Sequence, residues 1–156
     1  MSDGTGEGAL PPAGAGLTVA VGAAVLDVVL DHARATLPDE CCGLLLGEGD
    51  CVRAAWPARN ELASPTRYRV DPRDYLAAAR FARASRLDVI GAYHSHPSSA
   101  AIPSRTDLAE SAGDTFIYLI AGRIAEAGAR ELRAYRFAGG NFHELQIVAV
   151  PQEAGT

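Results

Sequence analysis

The sequence predicts an α/β fold of three layers, a curved, mixed and largely antiparallel sheet flanked by helices. Apolar runs of strand length alternate with segments of helical period, and turn signals join neighbouring strands in pairs. With 156 residues and 48% hydrophobic content, the chain has room for one sizeable core but not two.

Residues 1–16, rich in Gly, Ala and Pro, have no apolar period and are expected to be a disordered tail outside the fold. The domain is expected over 17–150, with 151–156 as a C-terminal tail. Residues 17–21 form a first short strand. Val25, Val29, Ala33 and Leu37 then recur at helical spacing over 23–37, and Pro38 closes that helix. Residues 42–47 are a compact apolar run ending at the turn signal Gly47-Glu48-Gly49-Asp50, and 51–56 resume an extended pattern, so the pair reads as a hairpin. Residues 66–70 are expected to be a strand. Asp71 can cap a helix whose first position is Pro72, running through Tyr75, Leu76, Ala79 and Ala82 to near Leu87. A strand over 88–96, a short helix over 104–112 and an apolar central strand over 115–121 follow. The last pair, 131–138 and 141–150, turns at Gly139-Gly140. No internal repeat is visible.

The formal charge is −5, and the basic side chains, all arginine, are scattered singly with no run to track a phosphate backbone, so nucleic acid is not an expected partner. No stretch approaches the roughly 18 apolar residues of a membrane span. Asp3 and Glu7 stand where a signal peptide would carry positive charge, so a cytoplasmic protein without membrane attachment is expected. Three cysteines, two of them adjacent at Cys41 and Cys42, suit reduced thiols better than a disulfide framework.

Residues 94–107 hold the chemistry. His94 and His96 are two apart, and in an extended strand both rings face one side while Ser95 faces away. After a proline-flanked loop, Ser104 and Asp107 sit three apart, a spacing that joins side chains in the first turn of a helix. Two imidazoles and a carboxylate suit zinc, and three protein ligands leave a fourth position for water, as in catalytic sites. Glu40, just before an apolar strand, is the candidate proton carrier. Blander readings exist for each part. The histidines could be ordinary strand residues, Ser104-x-x-Asp107 is close to a capping box, and Glu40 could be a solvated strand start. Capping and ligation are compatible, because a carboxylate fixed in a first helical turn is a well-placed ligand. Cys42 shares a strand face with Glu40 but reads best as a small buried residue behind the site. His32 and His143 have no ligand partner at useful spacing.

Glu40, then His94-x-His96, seven residues and Ser104-x-x-Asp107, resembles the motif of the JAMM (MPN+) zinc metallopeptidases, also called the Mov34/MPN/PAD-1 or JAB family. Gly43-Leu44-Leu45-Leu46-Gly47, Gly91, Pro97 and Pro103 reinforce the resemblance, which covers about residues 17–150 and points to the small stand-alone prokaryotic branch. The resemblance implies the MPN fold, similar to that of cytidine deaminases. It also implies one Zn2+ per chain held by His94, His96 and Asp107, Glu40 as general base for a zinc-activated water, and Ser104 as donor to the oxyanion. Asn60, placed before the Tyr68-to-Pro72 segment as in bacterial members, would take a substrate-positioning role. The implied reaction is hydrolysis of a peptide, isopeptide or amino-acid adduct bond after the C-terminal Gly-Gly of a ubiquitin-like or sulfur-carrier protein, by a monomer or homodimer. A non-catalytic MPN scaffold is the alternative; degenerate members lose a ligand or the glutamate, and here all five positions are present. A zinc nucleoside deaminase would need His-x-Glu and Pro-Cys-x-x-Cys, which this chain lacks.

Overall fold

The computed structural model describes residues 17–109 and 115–151. The expected tails lie outside these residues, apart from Pro151. In chain order the elements are β1 (Thr18–Gly22), α1 (Ala23–Thr36), β2 (Cys42–Glu48), β3 (Cys51–Ala58), α2 (Pro72–Ala84), β4 (Asp88–His96), α3 (Arg105–Ala109), β5 (Ile117–Gly122), β6 (Glu131–Ala138) and β7 (Asn141–Val150).

The strands form one curved mixed sheet in the order β3-β2-β4-β5-β6-β7, and β1 lies along β7 while touching β3 at its start. The β2/β3, β2/β4, β5/β6 and β6/β7 pairs are antiparallel, and β4/β5 and both β1 pairings are parallel. Alternation along each strand sorts side chains onto two faces. Val25, Val29, Leu30 and Ala33 of α1 pack with Leu45, Tyr93, Leu119 and Ala121 on one face. Ala78 and Ala82 of α2 pack with Leu44, Leu46, Ala92 and Tyr118 on the other. His94 and His96, in step with Ala92, therefore project on the α2 face, and Ser95 projects on the α1 face. Glycine is required at two close approaches: a Cβ at Gly43 would collide with the ring of its cross-strand partner Tyr93, and one at Gly122 with the Ala101 backbone.

Three expectations need correction or trimming. Residues 66–70 are not a strand; only Val70 makes a bridge, to Asn60. The Asn60 side chain captures the carbonyl of Arg67 and the N–H of Arg69, so backbone groups that a ladder would use are bonded to an amide instead. Helix α2 ends at Ala84, short of Leu87, because Arg86 turns into the left-handed region at φ 60°. The Arg86 N–H then bonds to the Arg83 carbonyl, the Leu87 N–H bonds to that of Ala82, and Leu87 returns to the apolar cluster under the helix. Helix α3 is seen over Arg105–Ala109, one residue later than expected at its start because Ser104 stands before the first turn as its cap, and residues 110–112 of the expected helix lie outside the described residues.

The start of α2 follows expectation. Asp71 accepts from the Arg73 N–H at 2.8 Å, and Pro72 occupies the first turn. Removing this cap as Asp71→Ala is expected to lower Tm by about 3 °C in calorimetry at pH 7. Hydrogen bonds from the Arg73 side chain and N–H hold the Asp71 carboxyl down at about 2. A depressed carboxylate stabilises the fold above its unfolded pKa and stops doing so as pH falls through the folded one. The gap between wild type and variant should therefore narrow between about pH 4 and pH 2.

Candidate metal centre and catalytic cleft

Pairing register sets the ligands. Cys42 of β2 lies opposite His94, and His96 opposite Gly122 of β5, so both histidines sit on an interior strand bonded on both sides. Helix α3 brings Asp107 to them, and its Oδ2 lies 3.2 Å from His94 Nε2 and 3.1 Å from His96 Nε2. One donor atom from each of the three falls within 4.8 Å of the others, and all three side chains are buried. Ser104 and Asp107 cap each other reciprocally: the Ser104 N–H donates to Asp107 Oδ2 at 2.8 Å and the Asp107 N–H to Ser104 Oγ at 3.0 Å. The capping and ligand readings of this pair thus coexist in one geometry.

The histidines are supported differently. His96 Nδ1 donates to the Ala100 carbonyl at 2.8 Å, and Nε2, 3.1 Å from Asp107 Oδ2, donates to that carboxylate when protonated and offers a lone pair to a metal when neutral. The neighbouring Ala101 is fixed from behind, its N–H by Glu131 and its carbonyl by the Tyr135 hydroxyl. For His94, Nδ1 finds no partner among the described residues, and Nε2 is not aligned to donate to Asp107. Its ring instead stacks on Tyr68, with centroids 4.5 Å apart and planes 20° from parallel. Burial holds the His94 pKa below its ordinary value, so the ring is neutral and able to donate a lone pair. Burial also opposes charge on His96, but its bonds to Asp107 and Ala100 outweigh that and raise its pKa. Asp107 is the converse case: burial works against its charge, yet both histidines and the Ser104 N–H hold its carboxyl well below the usual carboxylate range.

Glu40 reaches the same cleft from the start of β2. It is 3% exposed, its Oε1 has no hydrogen-bond partner among the described residues, and burial lifts its carboxyl to about 8. With His96, Ser104, Pro65, Thr66 and Ile102 it lines a cleft of about 630 Å³. A buried carboxyl with an unbonded oxygen facing a three-ligand cluster is costly unless a cation and a proton donor complete the arrangement. A cation among the ligands would draw its pKa back down toward the range of a working base.

The chain matches the family model described as prokaryotic homologs of the JAB domain over residues 22–138. The chain belongs to the prokaryotic JAB family. Its relatives include a desampylase of Haloferax volcanii, 33% identical over 128 residues, covering 78% of this chain and 88% of the relative. The CysO-cysteine peptidase of Mycobacterium tuberculosis is 34% identical over 131 residues, covering 82% of this chain and 88% of the relative. The solution structure of protein DSY2949 from Desulfitobacterium hafniense superposes with a TM-score of 0.78 at 30% identity, covering 86% of this chain and 94% of that one. The fold expected from the JAMM resemblance is the one observed, and this JAB-family chain is an enzyme of the metallopeptidase class, a hydrolase of peptide or isopeptide bonds.

Within the JAB domain His94, His96 and Asp107 meet in one buried cluster, and His96 also lines the cleft with Glu40 and Ser104. Asn60 stands apart, with its amide fully engaged by backbone: Nδ2 donates to the carbonyls of Glu40 and Arg67, and Oδ1 accepts from the N–H groups of Leu62 and Arg69. Ser95, facing away from the ligands, supports backbone, its Oγ accepting from the Cys41 N–H at 2.8 Å. Cys42 is buried, opposite His94 on the neighbouring strand, and burial pushes the thiols of Cys41 and Cys42 up to about 12, which keeps them unreactive. His32 bonds the Tyr93 hydroxyl and His143 the Ala138 carbonyl, away from the ligands. Tyr68 escaped the sequence reading because its segment looked like a strand; an aromatic between Pro65 and the Asp71-Pro72 helix start was the available signal. No helix among the described residues is long and apolar enough to cross a membrane.

Proposed function

We propose that this chain is a zinc-dependent peptidase or isopeptidase that hydrolyses the bond after the C-terminal Gly-Gly of a ubiquitin-like or sulfur-carrier protein. The observation that carries the reading is the meeting of His94, His96 and Asp107 beside the unbonded, buried Oε1 of Glu40. The names of two relatives, a desampylase and a CysO-cysteine peptidase, support the substrate class. Two imidazoles and one carboxylate fit zinc and match the composition of open catalytic sites. When bound, zinc supplies Lewis acidity, lowering the pKa of water to about 7 and polarising a carbonyl.

The protein groups divide the remaining work. Glu40, buried and lacking a partner for one oxygen, takes a proton from the attacking water and hands it to the leaving nitrogen. The Ser104 oxygen accepts from the Asp107 N–H, so its own hydrogen is free to donate to the scissile carbonyl oxygen as negative charge develops there. Asp107 keeps its negative charge through the Ser104 N–H, its contact with His96 and the close His94 ring. A Gly-Gly tail suits a cleft walled by Pro65, Pro97 and Ile102, since a backbone without Cβ atoms approaches the ligands closely. Asn60 contributes to substrate positioning through the loop that it holds.

Ser104→Ala is expected to reduce kcat by about 100- to 1000-fold, because one oxyanion donor is lost. Its metal content should be unchanged, which mass spectrometry of the native protein would verify. The proposal as a whole is tested by incubating zinc-loaded protein with conjugates and C-terminally extended forms of Gly-Gly carriers and following the products by mass. Cleavage after Gly-Gly supports it. Stoichiometric zinc with no cleavage of any carrier sinks the substrate assignment, and absence of zinc in protein purified without chelator favours the non-catalytic scaffold.

A further inference from the structure

Most metal-binding histidines are held in plane by a hydrogen bond from the ring nitrogen that faces away from the metal. His96 has that support in the Ala100 carbonyl, whereas neither ring nitrogen of His94 has a hydrogen-bond partner among the described residues. The group that fixes the His94 plane is Tyr68, stacked at 4.5 Å and 20°. Tyr68 sits in an irregular loop, and that loop is held by the flanking bonds of Asn60 to the Arg67 carbonyl and the Arg69 N–H, each 3.0 Å. The same Asn60 Nδ2 donates at 3.1 Å to the carbonyl of Glu40, whose own N–H donates to Ser64 in this loop at 2.9 Å.

We propose that Asn60 and Tyr68 form a yoke: one amide ties the backbone of the proton carrier Glu40 to the loop whose aromatic ring holds His94 in its ligand orientation. Both are positioning residues, since neither reaches the reacting atoms. The inference rests on the roles assigned above to Glu40 and His94, but its main readout is metal binding and needs no substrate. The yoke explains why all four hydrogen-bonding positions of Asn60 are taken up by backbone from three separate stretches of chain, residues 40, 62 and 67–69. Base and ligand are thereby set relative to each other by a single side chain.

Two variants separate this role from simple loop support. Tyr68→Leu removes the stack, and zinc affinity measured by competition with a chromophoric chelator should fall about 10- to 100-fold. The visible absorption of the Co2+-substituted protein should change with it, and Tyr68→Phe, which keeps the ring face, should restore both. Asn60→Asp is isosteric and keeps the two acceptor bonds, but it sets a carboxylate oxygen against the carbonyls of Glu40 and Arg67. In this variant the cobalt spectrum should change and kcat should fall about 100-fold, as misplacement of a catalytic group requires. Wild-type affinity and spectrum in folded Tyr68→Leu overturn the yoke. So does a wild-type cobalt spectrum in Asn60→Asp, an arm that does not depend on Tyr68→Leu folding. If wild-type enzyme binds zinc but cleaves no carrier, the proposed substrate falls, while affinity and cobalt spectra still decide the yoke.

Discussion

Glu40→Gln is expected to leave the fold and the metal intact and to lower the rate of hydrolysis about 1000-fold. The figure follows from what a positioned acid-base group contributes, typically 100- to 10,000-fold. It belongs in the upper part of that range because Glu40 serves twice in the proposed cycle, accepting a proton from water and returning it to the leaving nitrogen. Glutamine preserves shape and can still fill the buried position, so a small change in rate could not be attributed to collapse of the cleft. Burial already lifts the Glu40 carboxyl to about 8, so the neutral amide costs the surrounding structure little. Kcat on a carrier conjugate, measured beside zinc content and thermal melting, gives the answer: equal rates in wild type and Glu40→Gln would remove Glu40 from the mechanism.

Asp107→Asn is expected to abolish stable metal binding and, with it, activity. The Asp107 carboxylate is the one negative ligand of the three, 3.1 and 3.2 Å from the two imidazole nitrogens. Asparagine can still accept the Ser104 N–H, so the start of α3 should persist while the charge disappears. Losing an outer-shell partner commonly costs 10- to 100-fold in affinity, so loss of a charged ligand should exceed about 100-fold. Zinc competition would detect this directly, and unchanged circular dichroism would show that the effect is local. Retention of stoichiometric zinc at wild-type affinity would exclude Asp107 as a ligand.

The ligand set was legible because each of its parts follows a local rule. Alternation on a strand put His94 and His96 on one face, and a capping spacing put Ser104 beside Asp107. Glu40 was legible only by resemblance and chemical need, because its approach to the ligands comes from pairing of β2 with β4, a contact between segments about fifty residues apart. The 66–70 segment was misread for the same reason. Its β-branched and aromatic residues suit a strand, but the backbone partners were claimed by the side chain of Asn60. Tyr68 followed that error, since stacking on His94 depends on a loop path that no local period encodes. The end of α2 was lost to a left-handed Arg86, an unusual residue for that conformation and invisible to helix-stop rules built on glycine.

Helix α3 enters the site at its first turn, and among the described residues it runs from Arg105 to Ala109. Its place against β4 rests on the reciprocal Ser104 and Asp107 bonds and on whatever joins Asp107 to the two histidines. An ion held by His94, His96 and Asp107 would also tie strand to helix across the loop from Pro97 to Pro103. Local opening of that loop would then depend on metal supply, and the rim of the cleft and its reactivity would be gained or lost together.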